Sequence, residues 1–184
     1  KDVSAYVPAS ANNILLEEKK AGHAPANLQY LERGILAKLR TMSRKDFSHL
    51  PDLSEGLENR VYAAAQKACS ITELYKMVKT KRYPLARIRR IVLSAFLGID
   101  TAYCQGTPPY LRILGIGNGG EKILQAAKTK SQLPIIAKYS DTEKLDTQGK
   151  RTFELENRAA DLYSLCMPKV EPCGTDRSHK VIVF

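Results

Sequence analysis

The sequence predicts a mainly α fold, a compact multi-helix bundle with a small βαβ-like element near residues 109–139. Three observations predict it. Up to Leu97, apolar residues recur at helical spacing in short segments, each opened by a capping residue and closed by Gly, Pro or a polar turn. After Gly98, the runs TPPYLRILGIG and LPIIAKY (133–139) are β-favouring and flank the helical stretch NGGEKILQAAKTKS. A last amphipathic segment, KRTFELENRAADLYSLCM, ends at Pro168. The expected organisation is a helical subdomain over 1–100 with the basic helix-turn-helix hairpin, a small α/β part with the C-terminal helix packed on it over 101–168, and a tail over 169–184 that is loosely ordered as far as VIVF.

Residues 2–8 read as a lead-in. Ser10 is the expected cap of ANNILLEEKK, in which Ile14 and Leu15 start an apolar face, and Gly22 and Pro25 break that helix. Asn27 caps LQYLERGILAKLRTM, with Leu28, Leu31, Ile35 and Leu39 as its core stripe. Ser43 opens a short helix closed by Pro51. Ser54 opens EGLENRVYAAAQKAC, in which Leu57, Val61, Ala64 and Ala68 face inward. Ser70 is a good N-cap, and Glu73 three residues on completes a capping-box pattern before Ile71, Leu74, Tyr75 and Val78 form an apolar face. Pro84 suits the first turn of the next helix, because its missing N–H has no partner there anyway. Leu85, Ile88, Val92 and Leu93 make that helix's stripe, Arg87 and Arg90 point away from it, and Gly98 ends it.

Charge is concentrated at the junction of those two helices. The stretch KMVKTKRYPLARIRR (76–90) holds Lys76, Lys79, Lys81, Arg82, Arg87, Arg89 and Arg90, and no Asp or Glu occurs between Glu73 and Asp100. Like charges held this close repel unless water, salt or a polyanion screens them. A tight turn places Lys79, Lys81 and Arg82 at the start of the second helix, whose N-terminus adds partial positive charge. This geometry suits phosphate. Lys79, Lys81, Arg82, Arg87, Arg89 and Arg90 are the candidate contacts to a polyanion's phosphates, with Tyr83 beside them as a candidate stacking platform, and Arg112 and Lys138 are possible additional contacts.

Composition narrows the classes. The 184 residues are 43% hydrophobic and 26% charged with a formal net charge of +10, the profile of a soluble globular protein with a polyanionic partner. No apolar run reaches membrane-spanning length, and no signal peptide is visible. The chain does not open on Met, which suggests a piece of something longer. Cys69, Cys104, Cys166 and Cys173 show no metal spacing, so a reducing cytoplasm is expected, with Cys69 as a buried thiol. His23, His49 and His179 are scattered and make no site. Glu55, Glu58 and Arg60 read as local helix electrostatics. LGIGNGGEK (114–122) invites a phosphate-loop reading but matches neither common glycine spacing, and a plain strand-to-helix turn explains its glycines. No catalytic constellation and no metal site is visible.

Two blocks go beyond composition. The segment SEGLENRVYAAAQKACSITELYKMVKTKRYPLARIRRIVLSAFLGI resembles the bacterial tRNA(Met) cytidine acetate ligase family, also described as HIGH-type nucleotidyltransferases. There an EGLENR-like opening precedes a KTKRYT-type turn and an arginine-bearing helix. YLRILGIGNGGEKIL, LPIIAKY and NLQYLERGILAKLRTMS are similar to further elements of that family, so the likeness spans most of 27–165. The resemblance implies an enzyme that makes acetyl-adenylate from acetate and ATP with Mg, then acetylates the wobble cytidine of elongator tRNA(Met). It also implies that ATP is taken up in an N-terminal domain carrying a HIGH-type motif that this chain lacks. The chain would then be the C-terminal, tRNA-binding portion, with no cofactor of its own, partnered by tRNA and by its own N-terminal catalytic domain, without catalytic residues in view. Pro84 and Ala86 depart from the family, which has hydroxyl residues there.

Two other readings stay open at this level. Ile71–Lys79 and Pro84–Leu97 have the lengths of a DNA-binding helix-turn-helix, although LARIRR offers few amides to base edges. Alternatively the basic face docks an acidic protein surface, in which case binding would not depend on RNA.

Overall fold

The computed structural model describes every residue except Lys1, Asp2 and Glu55. The chain forms two compact units, Lys1–Gln105 with Tyr163–Val170, and Gly106–Leu162 with Glu171–Phe184. The expectation of a mainly α compact multi-helix bundle is corrected by this division. Gly106–Leu162 and Glu171–Phe184 build their own parallel strand pairs around their own core.

In the first unit, α1 (Ala9–Ala21) is capped by Pro8 and not by Ser10, which lies inside the helix. Its expected apolar face is exposed at Ile14 and Leu15. Gly22 closes α1 at φ 87°, a left-handed conformation that disfavours other residues, and a Cβ there would stand 2.9 Å from the Lys169 Cβ. Asn27 caps a single 3-10 turn, Leu28–Leu31, from which α2 (Glu32–Thr41) continues with Ile35, Leu36 and Leu39 buried. Ser43 and Asp46 form a complete capping box on α3 (Arg44–Ser48). α4 (Leu57–Lys67) is opened by Gly56 at φ 82° in place of a Ser54 side-chain cap.

α5 (Ile71–Val78) begins at Ser70, whose side chain accepts the Glu73 N–H, while the Glu73 carboxylate accepts the N–H of Cys69. The Glu32 carboxylate reaches across from α2 and takes the N–H of Ile71, so two of the donors orphaned at that helix end are satisfied from side chains. α6 (Leu85–Leu97) is capped by Pro84 and ends at Gly98 in the left-handed region. Its buried stripe is Ile88, Ile91, Val92 and Ala95, whereas Leu85 and Leu93 are only half-buried. Together with Phe47, Leu57, Val61, Leu74 and Val78 these side chains make one continuous core, each contributing up to about 1.5–3 kcal/mol by leaving water.

In the second unit, β1 (Leu111–Arg112) pairs in parallel with β3 (Ile135–Ile136), and α7 (Gly120–Lys130) lies between them in sequence. β2 (Gly115–Ile116) pairs in parallel with β4 (Ile182–Val183). The core of this unit is Tyr110, Ile136, Leu145 and Phe153, with Phe153 supplied by α8 (Thr147–Ser164). From the expected tail, α9 (Thr175–Ser178) and β4 belong to this unit. Arg112 ties β1 to α8 and α9 through Glu156 at 3.3 Å and Asp176 at 2.8 Å.

The thiol expectation is also corrected. Cys69 is exposed, and the buried cysteine is Cys166, whose thiol pKa is pushed up by burial. No helix among the described residues is long and apolar enough to cross a membrane.

Candidate nucleic-acid interface

The basic junction is a rigid turn. Thr80 Oγ1 accepts the Tyr83 N–H at 3.2 Å, and the Tyr83 carbonyl accepts the Thr80 N–H at 3.4 Å, closing residues 80–83 on themselves. α5 stops because Lys79 turns extended, and its last carbonyls are collected by Arg60 of α4, which donates to Val78 at 3.0 Å and to Met77 at 2.7 Å. Local helix electrostatics, the role its sequence neighbours suggest for Arg60, is therefore too narrow. Its contacts lie across the fold, and only the EGLENR block hints at it. Glu55, its companion in that reading, lies outside the described residues.

The sequence-selected residues then sort by environment. Lys79, Lys81 and Arg82 are exposed at the turn, and among the described residues no carboxylate pairs with them. Arg89 is exposed with its guanidinium 5.8 Å from the Tyr75 ring centre. Burial pushes the Tyr75 phenol up, against the opposing pull of Arg89. Arg87 and Arg90 are steered by one residue: Arg87 Nε donates to the Asp52 carbonyl and Arg90 Nε to the Asp52 carboxylate, each at 2.7 Å. Tyr83 is 9% exposed and belongs to the core of the first unit. The guanidiniums of Arg82 and Arg87 lie 5.6 and 5.7 Å from its ring centre, within cation–π range, so the ring positions arginines.

Arg112 and Lys138 belong to the second unit, where they line one small cavity of about 150 Å³ with Arg177, His179 and Lys180. Arg112 is held there by two carboxylates, whereas Lys138 is exposed. Two glycines of LGIGNGGEK are accounted for by the chain itself. Gly119 is left-handed at φ 77°, and a Cβ on Gly120 would meet Ile116 Cγ2 at 2.8 Å. No group of His, Cys, Asp or Glu able to hold a metal occurs among the described residues.

The arrangement presents unpaired cations at a helix start, on a turn whose backbone bonds and caps fix its shape. A family model described as HIGH Nucleotidyl Transferase matches residues 1–178. The chain belongs to that family. The HIGH nucleotidyl transferase assignment covers nearly the whole chain, and with it the fold class of a helical C-terminal bundle is overturned. The chain is 35% identical over 180 residues to a tRNA(Met) cytidine acetate ligase of Thermoanaerobacter sp. (strain X514), covering 96% of this chain and 44% of that protein. It is 32% identical over 186 residues to the tRNA(Met) cytidine acetate ligase of Acetivibrio thermocellus, covering 97% of this chain and 45% of that one. A crystal structure of Thermotoga maritima TmcAL bound with alpha-thio ATP superposes with a TM-score of 0.87 at 29% identity, covering 96% of this chain and 46% of that chain. This HIGH nucleotidyl transferase chain thus spans less than half the length of these relatives.

Proposed function

We propose that this chain is the tRNA-holding part of an ATP-dependent tRNA(Met) cytidine acetate ligase acting in the cytoplasm. The parent makes acetyl-adenylate from acetate and ATP with Mg, and passes the acetyl group to the wobble cytidine of elongator tRNA(Met). ATP is taken up by a catalytic domain outside this chain, to which this part presents the RNA. The relatives' names support the substrate class, because each of them is a tRNA(Met) cytidine acetate ligase.

The observation that carries the reading is the unpaired cationic turn. Lys79, Lys81 and Arg82 stand exposed at the entrance to α6 and take RNA phosphates, with Arg89 beside them. Arg87 and Arg90 keep their outer guanidinium nitrogens for the same backbone while Asp52 fixes their direction. Tyr83 serves as the buried support of Arg82 and Arg87. In the second unit, Lys138, and Arg112 through its cavity, offer a separate contact to RNA backbone.

The test is binding of labelled elongator tRNA(Met) across a salt series, comparing the chain with its Lys81→Glu/Arg82→Glu double variant. The expected result is tight binding that weakens steeply with salt. The variant should bind more weakly, with a log–log salt slope lower by about 0.7 for each phosphate it no longer neutralises. Equal affinity of the double variant overturns the site, and preference for duplex DNA over tRNA overturns the substrate.

A further inference from the structure

Beside the basic turn, within the first unit, lies an open groove of about 750 Å³. Its walls come from the 3-10 turn before α2 on one side and from α5 and α6 on the other: Gln29, Glu32, Thr72, Tyr75, Lys79 and Arg89 are among its lining residues. That volume lies within the range of small-molecule sites, and the lining has the usual character of one, mixed apolar and polar. Three features of the groove bear on what it could hold. The Tyr75 hydroxyl is buried with no hydrogen-bond partner, a group that costs free energy unless something satisfies it. Arg89 lies over the Tyr75 ring and, among the described residues, makes no ion pair with a carboxylate, so a cation is left lining the groove. Gln29 and Thr72 add exposed amide and hydroxyl groups, able to donate and accept, at the same mouth.

We infer that this groove seats a single unstacked nucleotide, its base against the Tyr75–Arg89 surface and its phosphate on Lys79. The chemistry fits both halves of such a ligand. A guanidinium beside an aromatic ring can stack on a base face of any identity, and Gln29 and Thr72 can meet the polar base edge. Lys79 belongs both to the groove and to the turn, so a strand whose backbone follows Lys81 and Arg82 reaches the groove with its next residue. The inference rests on the RNA-holding reading for the source of the nucleotide. A free nucleotide offers the same base and phosphate.

The experiment uses two variants of the whole chain, each placed where the core is untouched. Thr72→Trp fills the groove from an exposed position of α5 and leaves every cation in place, and Gln29→Ala removes one edge contact. Circular dichroism matching the parent chain shows that each is folded. Titrations with elongator tRNA(Met), with CMP and with ATP separate the sources. The expected result is about a tenfold loss of tRNA affinity in Thr72→Trp, of the size of one base-stacking contact, with the salt slope unchanged. A smaller loss is expected in Gln29→Ala. Binding of CMP or ATP to the parent chain but not to Thr72→Trp would instead make the seat one for a free nucleotide. If Thr72→Trp binds tRNA, CMP and ATP as the parent does, while Lys81→Glu/Arg82→Glu loses tRNA, the groove inference falls and the basic turn stands. If the parent chain binds neither tRNA nor a nucleotide, both fall.

Discussion

Arg60 holds the end of a helix other than its own: its Nε donates to the Val78 carbonyl at 3.0 Å, and its Nη2 reaches the neighbouring Met77 carbonyl at 2.7 Å. The last carbonyls of α5 would otherwise be left to water, and the turn that carries Lys79, Lys81 and Arg82 begins at the next residue. Arg60→Leu is expected to cost about 1–3 kcal/mol in chemical denaturation, because the carbonyls lose a charge-assisted partner. Arg60→Lys should recover only part of it, since an ammonium cannot fork across two carbonyls as a guanidinium does. RNA affinity should fall severalfold in Arg60→Leu although every phosphate-binding cation stays in place. An unchanged denaturation midpoint would show that water caps α5 equally well.

Tyr83 separates a buried support from an exposed base platform. With its ring in the core, Tyr83→Ala is expected to destabilise the chain by about 3 kcal/mol through the cavity it leaves. Tyr83→Phe keeps the ring under Arg82 and Arg87 and should preserve both stability and RNA affinity. Thermal denaturation alongside tRNA titration distinguishes the cases. A ring acting as a platform would give Tyr83→Ala weaker binding at unchanged stability.

What the sequence shows clearly here is local chemistry. Ser43, Asn27 and Ser70 cap the helices they precede, because a cap acts over three or four residues and its pattern lies within one segment. The same locality explains the misses. Glu73 has the spacing of a capping box, yet its carboxylate takes the Cys69 N–H, a choice set by the approach of the chain. In α6 both Ile91 and Leu93 fit an apolar stripe, and only the neighbouring helices decide that Ile91 is buried. Strands of two residues are shorter than one full alternation, so β2 and β4 carry no period to read, and their pairing joins residues far apart in the chain. Sequence pattern alone therefore leaves the tail outside the second unit. Among the candidate cations, charge density picks out the turn, but it cannot show that Asp52 steers Arg87 and Arg90 from thirty-five and more residues away.

Asp52 is the carboxylate that Arg90 meets, and it sits at φ 63° in a tight loop. Asp52→Asn keeps the shape of the side chain and removes its charge, leaving Arg90 uncompensated. The expected outcome is tighter tRNA binding at low salt with a steeper salt slope, and convergence with the parent chain at high salt, where the Debye length shrinks below the spacing of the charges. Fluorescence anisotropy over a salt series reads this directly. Weaker binding at low salt would mean that the direction Asp52 gives to Arg90 matters more than the charge it cancels.

Acid stability should report on two aspartates. Burial pushes the Asp141 carboxyl up, but the Ala137 and Lys138 amides and the charges of Lys144 and Lys138 outweigh it, leaving its pKa below the ordinary aspartate value. The Ser43 backbone N–H and then the Ser43 hydroxyl lower Asp46 in the same direction. A carboxyl with a depressed folded-state pKa stabilises the fold at pH above its unfolded value of about 3.9, and the stabilisation disappears as pH falls through the folded value. The destabilisation caused by Asp141→Asn should therefore be full near neutrality and shrink below about pH 4. Denaturation midpoints of the two chains measured from neutral pH downward should converge. A constant gap would mean that the Asp141 amide contacts do not depend on its charge.

Gly120 tests whether the glycine-rich stretch exists for a ligand or for the fold. A methyl group there would stand 2.8 Å from Ile116 Cγ2, closer than carbon atoms approach, so the Ile116 side chain or the backbone carrying it would have to shift. Gly120→Ala is expected to destabilise the chain by about 1–3 kcal/mol, the usual cost of overpacking. Ile116→Ala removes the opposing methyl, and the double variant should then be more stable than the sum of the two single effects requires, a positive coupling measured by a double-mutant cycle. Gly117 offers the contrast, because a Cβ there meets nothing within 4 Å and no left-handed φ demands glycine. Gly117→Ala should leave stability unchanged. If it also leaves ATP and tRNA binding unchanged, no phosphate approaches the backbone at that position, and the glycines of this turn serve the junction of strand and helix alone.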